Sequence, residues 1–142
     1  MKNLSNCGPR EFMRQTAKIR HAVSQWLKLT DIINIRKRLP DQPEYPDNMP
    51  KEERVAKFKE WQDKVSEQAK ANMHDILDAI MDEHPDETVD LLALCCFVEP
   101  EHAEEHTMSE YLGAVVDMME DENVMRFFTS SMRLAKMAGL TA

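Results

Sequence analysis

An irregular all-α bundle of about six helices is the fold this sequence predicts, on three observations. The first is the stretch TVDLLALCCFV, Thr88 to Val98, which carries no charged side chain between Asp90 and Glu99. Leu91, Leu92, Leu94, Cys95, Cys96, Phe97 and Val98 point in every direction of a helical wheel, whereas a surface helix has an apolar stripe only about a third of the way round. A segment apolar on all sides belongs inside, and it is far shorter than the roughly 20 residues a membrane span needs. A buried strand is the competing reading of such a run. The Leu and Ala content, and the capping-type residues His84-Pro85-Asp86-Glu87 before it, favour a buried central helix over 88–98. Leu91, Leu94, Cys95 and Val98 are expected among the most buried side chains.

The second observation is the scarcity of glycine. The chain has 3 in 142 residues, where average usage would place roughly ten. Few β-branched runs and abundant Leu, Met, Ala, Glu and Lys favour helices joined by short connections. The third is helical spacing of apolar residues along the rest of the chain.

Taken in order, Gly8-Pro9 signals a helix start, because proline in the first turn forfeits no needed hydrogen bond. Phe12, Thr16, Ile19, Val23, Trp26 and Thr30 then fall at alternating four- and three-residue steps, one face of a helix, with Arg10, Arg14, Lys18, Arg20 and Lys28 largely off it. Thr30-Asp31 is suited to cap a short second helix, IINIRKRL, which Pro40 stops. Pro40, Pro43, Pro46 and Pro50 punctuate a connection over 40–50, stiff and extended, either an ordered spacer or an exposed arm. Pro50 opens the longest helix, over 50–83, about 50 Å at 1.5 Å per residue. Its first half has a thin stripe (Val55, Phe58, Gln62, Val65, Ala69). Its second half, with Met73, Ile76, Leu77, Ile80 and Met81, is the part expected to pack on a core. After the central helix, Glu99-Pro100 is a stop. Thr107 with Glu110 makes a capping box for a helix bearing Tyr111, Leu112, Val115, Met118 and Met119. Asp121 or Glu122 caps the last helix, with Val124, Phe127, Phe128, Leu134 and Met137 apolar and Gly139 a suitable terminator.

The length suits one domain, 1–142, large enough to bury a core. Within it, residues 1–39 form a basic N-terminal part, 40–50 the proline connection and 51–142 an acidic helical body. Up to Pro40 nine Lys and Arg stand against Glu11 and Asp31; beyond it the balance reverses, and the whole chain carries −8. Such a bipolar chain can pair its ends internally, stack head to tail, or offer its basic end to an acidic partner. No signal peptide or transmembrane segment is visible. Cys7, Cys95 and Cys96 are odd in number and two are adjacent, which suits a reducing cytoplasm better than a disulfide framework.

Three motifs offer chemistry. His102-Ala-Glu-Glu105-His106 matches the H-x-x-E-H pattern of a zinc protease class. That chemistry needs both histidines on one helical face, a glutamate to activate water and a further protein ligand downstream. Here the motif lies between Pro100 and the Thr107 cap, and no histidine follows it. Cys95-Cys96 sits in the most apolar stretch, where thiols pack as small hydrophobes with raised pKa. Arg36-Lys37-Arg38 reads more simply as a solvated helix end than as a nucleic-acid patch. His21, His74 and His84 have no partner at ligand spacing and read as surface residues. No phosphate loop or nucleophile elbow is present. The expectation is therefore no catalytic residue, no metal and no cofactor. Several of the 11 methionines lie in the last two helices, where flexible thioethers suit an adaptable binding surface as well as core filling.

Two stretches, EFMRQTAKIRHAVSQWLKLTDIINIRKRLP and LLALCCFVEPEHAEEHTMSEYL, together with FFTSSMRLA, resemble a family of small helical proteins encoded by prophages of Gram-positive bacteria, similar to the tail assembly chaperones of long-tailed phages. The resemblance implies a non-catalytic protein of the bacterial host cytoplasm that binds the tape measure protein and helps recruit tail tube subunits around it, with self-association as a further possibility. It supplies no residue-level motif. Met118, Met119, Phe127 and Phe128 are the candidate partner-binding residues, from the apolar content of the last two helices. The alternative is a small regulatory adaptor that binds a protein or nucleic acid through the basic N-terminal end.

Overall fold

The computed structural model describes residues 1–139, and it is helical throughout: six α-helices, two 3-10 turns and a π turn, with no strand among the described residues. Contacts group the chain into two compact units, one made of Met1–Gln25 with the chain from Asp86 onward, the other of Trp26–Pro85.

The first unit opens with a 3-10 turn, Leu4–Asn6, held by a reciprocal cap: the Asn3 side chain accepts the Ser5 N–H at 2.8 Å and the Asn6 side chain accepts the Asn3 N–H at 2.9 Å. Helix α1, Pro9–Thr30, follows. Its expected face is the covered one: Phe12, Thr16, Ile19, Val23 and Trp26 are half-buried and Thr30 is buried, while the five cations lie exposed. Gln15, not anticipated, is buried on this helix and donates from Nε2 to the Leu94 carbonyl at 2.6 Å.

Helix α4, Pro85–Cys95, occupies the apolar stretch, beginning earlier and ending sooner than 88–98. A Schellman ending stops it: the Val98 N–H bonds the Ala93 carbonyl at 2.9 Å and the Phe97 N–H bonds that of Leu94 at 3.3 Å. Phe97 takes the left-handed position, φ +58°, which glycine usually fills; Lys2 Nζ sits 4.7 Å from the centre of its ring. Burial along this helix differs from the expectation. Ala93, Cys95 and Cys96 are buried, whereas Leu91, Leu94 and Val98 are only partly so. The core of this unit is a cluster of Ala93, Cys96, Ala103, Tyr111 and Ala114, with Val89, Leu92 and Val98 against it. Small side chains let the elements approach closely on the 89/92/93/96 face, and Leu91 and Leu94 fall on other sides of the helical wheel.

A 3-10 helix, Pro100–Glu105, places Ala103 in that core. Helix α5, Met108–Glu120, then starts from the Thr107–Glu110 capping box as anticipated, the Thr107 hydroxyl accepting the Glu110 N–H at 3.2 Å. Helix α6, Glu122–Met137, is capped by Asp121, which accepts the Val124 N–H at 3.0 Å, and ends at Gly139 with φ +70°. Val124 is buried on α6, but Leu134 and Met137 are exposed.

In the second unit Thr30 does not cap a second helix. It completes α1, its hydroxyl donating to the Trp26 carbonyl at 2.8 Å. Asp31 takes a left-handed conformation, φ +56°, and helix α2, Ile32–Arg36, follows without a side-chain cap. Helix α3 runs Lys51–Asp78 and widens into a π turn, Ala79–Glu83, so the element ends near the expected 83. Its covered face is not the Val55/Phe58/Gln62/Val65/Ala69 stripe: Val55, Gln62 and Ala69 are exposed, and Arg54, Trp61, Val65, Gln68, Asn72, Ile76 and Ala79 are covered. The reason lies in the proline connection, whose carbonyls have few amide donors of their own. Trp61 Nε1 donates to the Pro40 carbonyl at 3.1 Å, Asn72 Nδ2 to that of Arg38 at 2.7 Å, and Arg54 Nη2 to those of Pro46 and Asp47 at 3.2 and 3.1 Å. A helix that satisfies an extended segment needs polar donors on the face that covers it. The connection is thus an ordered spacer. Of the residues expected to pack in the second half, only Ile76 and, in the π turn, Ile80 are partly covered; Met73, Leu77 and Met81 face solvent.

Candidate interaction surface

The core of the first unit fixes which side of α5 points outward. Tyr111 is 2% exposed and donates its hydroxyl to the Ala103 carbonyl at 2.7 Å, while Ala114 is buried one turn on. Helical spacing then turns Met108, Leu112, Val116 and Met119, at steps of four, four and three, to a single outward stripe. They are 47%, 52%, 49% and 60% exposed. On α6 the buried Val124 likewise leaves Met125, Phe128 and Met132 on an exposed run.

The four residues singled out from sequence divide between inside and outside. Met119 and Phe128 are exposed; Met118 and Phe127 are half-buried. Phe127 meets Phe12 edge to face with ring centroids 4.8 Å apart, and Phe128 lies 5.4 Å from Phe127. Phe127 also lines a groove of about 410 Å³ with Leu4, Cys7, Phe12, Met13 and Val124. Met108, Leu112, Val116, Met125 and Met132 add to the exposed apolar surface and were absent from the sequence-based choice. Their four- and three-residue spacing is readable in the chain, but it matches that of core residues, and only burial separates the two.

The histidine motif does not assemble a metal-type geometry. The 3-10 helix ends at Glu105, and His106 is in extended backbone, φ −126° and ψ 158°. His102 Nδ1 pairs with Glu105 at 2.9 Å and His106 Nδ1 with Glu110 at 3.0 Å, each histidine thus engaged by a different carboxylate. The bond to Glu105 raises the His102 pKa, and that to His106 lowers the Glu110 pKa. His74, expected to have no partner at ligand spacing, does have them: Asp75 and Asp78 offer oxygens 3.9 and 3.3 Å from its Nδ1 on the exposed side of α3. Cys95 and Cys96 are buried free thiols; burial pushes Cys95 up to about 11 and raises Cys96. Such thiols keep their proton at neutral pH, which leaves little of the nucleophilic thiolate. Among the described residues no helix is long and apolar enough to cross a membrane.

No family model, curated protein or solved structure matches this chain.

Proposed function

We propose that this protein is a phage tail assembly chaperone: a non-catalytic helical protein of the host cytoplasm that covers the tape measure protein and helps recruit tail tube subunits around it. The reading draws on the resemblance of residues 11–40, 91–112 and 127–135. The observation that carries it in three dimensions is the pair of outward apolar runs, Met108/Leu112/Val116/Met119 and Met125/Phe128/Met132. A monomer gains nothing by holding seven large apolar side chains in water on two successive helices; a protein that must cover another chain's amphipathic helices does. Thioethers on unbranched stems repack against a repetitive partner at little cost, which suits a cover that tube subunits later replace.

The test is co-expression with the cognate tape measure protein. The long partner is expected to be soluble in a complex with this protein and insoluble without it. An insoluble tape measure protein in both cases overturns the reading. Binding to duplex DNA that weakens steeply with salt, abolished by removing the cations of residues 10–38, would replace it with the adaptor alternative.

A further inference from the structure

We propose that the outward face of α5 is the docking site for a cationic amphipathic helix of another protein. The occupant's apolar positions seat on Met108, Leu112, Val116 and Met119, and its lysines and arginines meet the carboxylates alongside. The inference deepens the chaperone reading and rests on it in taking the occupant from another chain.

Two observations carry it. The first is the stripe itself, whose four members span 11 residues, about 16 Å at 1.5 Å per residue, the length over which a helix in a groove presents anchors at i, i+4, i+7 and i+11. The second is charge. From Asp86 to Met125 the chain contains no Lys or Arg, and its only charged side chains besides histidine are Asp and Glu. On α5 the stripe is bordered on one side by the covered face of Tyr111, Ala114, Val115 and Met118. On the other lie Ser109, Glu120, Gly113 and Asp117, all exposed. Asp117 and Glu120 are three residues apart, about 4.5 Å of helix rise, within a screening length of about 10 Å at 0.1 M salt, so these two act on an arriving helix together. An anionic helix is repelled there and a cationic one attracted. A Cβ at Gly113 would meet nothing within 4 Å, and the hollow of about 250 Å³ there is shared with Met1 of this chain. A second copy of this chain offers two cationic helices: α1, whose apolar run Phe12/Thr16/Ile19/Val23 is half-buried in its own fold, and α6, whose exposed Met125 and Met132 stand among Arg126, Arg133 and Lys136; the sedimentation arm of the test separates self-association from a foreign helix.

The test uses the full chain and two labelled synthetic helices with leucines at the same i, i+4, i+7 and i+11 positions, one carrying lysine and the other glutamate elsewhere. Fluorescence anisotropy at low salt should show the lysine helix binding at least about tenfold tighter, the preference falling severalfold on raising salt to about 0.5 M. Leu112→Ser with Val116→Ser should weaken the lysine helix about tenfold. Asp117→Lys with Glu120→Lys should erase the preference. All four positions are exposed, and unchanged melting of the variants confirms that folding is not the cause. Equal binding of both helices overturns the charge argument; binding untouched by the serine variant overturns the placement on α5. Concentration-dependent dimers in sedimentation velocity, lost in the serine variant, would assign the face to self-association instead. Co-expression separates this inference from the function it rests on. If the serine variant keeps the tape measure protein soluble as well as the natural chain does, the α5 site falls and the chaperone reading stands. If the natural chain fails to keep it soluble while the lysine helix still binds α5, the chaperone reading falls and the site stands.

Discussion

Tyr111→Phe isolates one hydrogen bond in the core of the first unit. The substitution removes the hydroxyl that donates to the Ala103 carbonyl at 2.7 Å and leaves the ring, which is 2% exposed, in place. No cavity opens beyond the oxygen itself, so the transfer and void costs of a large-to-small change do not enter. What remains is a carbonyl in the 3-10 helix Pro100–Glu105, on a residue itself only 6% exposed, deprived of its donor. Leaving a buried acceptor unsatisfied costs about 1–3 kcal/mol, more than the roughly 1 kcal/mol net worth of an average hydrogen bond, because the desolvation of the acceptor is no longer offset. For a chain of this size such a loss lowers the melting temperature by about 3–10 °C. The edge-to-face contact of the ring with His106, centroids 5.9 Å apart, survives in phenylalanine and serves as an internal control. The assay is urea unfolding followed by far-ultraviolet circular dichroism; Trp26 and Trp61 belong to the second unit, so tryptophan fluorescence would watch the wrong place. The midpoint should fall with the slope unchanged. A midpoint within experimental error of the natural chain would refute the argument that this phenol satisfies the Ala103 carbonyl.

Thr107→Ala should destabilise the chain by about 0.5–2 kcal/mol by removing the acceptor for the Glu110 N–H, and Thr107→Ser should restore most of it; chemical denaturation reads both. Trp61→Phe deletes the indole donor to the Pro40 carbonyl at a cost of about 1 kcal/mol, and should speed proteolysis within residues 40–50 more than elsewhere. Cys95 supplies a pH prediction. Its thiol is held protonated by burial, with the folded pKa raised from 9.0 to about 11, so the folded state binds the proton more tightly than the unfolded chain. The stability this contributes is complete below pH 9 and is lost as pH climbs through the window up to about 11. Melting temperatures across that window should fall less in Cys95→Ser, and a thiol reagent at pH 8 should label Cys95 only after denaturant is added.

How far sequence reaches is visible element by element. Local chemistry determined the helices and their ends: Pro9, the Thr107–Glu110 box, Asp121 and Gly139 act within a few residues of themselves, so each is legible without knowing what it packs against. The α1 face was equally legible because Phe12, Ile19, Val23 and Trp26 have cations around them that cannot be buried. The stretch at Leu91–Val98 was legible as apolar but not as packed, since a helix apolar on all sides gives no periodicity from which to choose its inner face; contact with Ala103, Tyr111 and Ala114 made that choice, and favoured the small residues Ala93 and Cys96. On α3 the hydrophobic pattern pointed to the wrong face, because the covering partner is an extended proline segment whose carbonyls reward Trp61, Asn72 and Arg54 as donors. The α5 and α6 surface divides the same way. Composition determined that these two helices are rich in methionine and aromatics, but whether Met118 or Met119, Phe127 or Phe128, looks outward depends on a rotation of about 100° per residue, and only the seating of Tyr111 and Val124 in the core sets that angle.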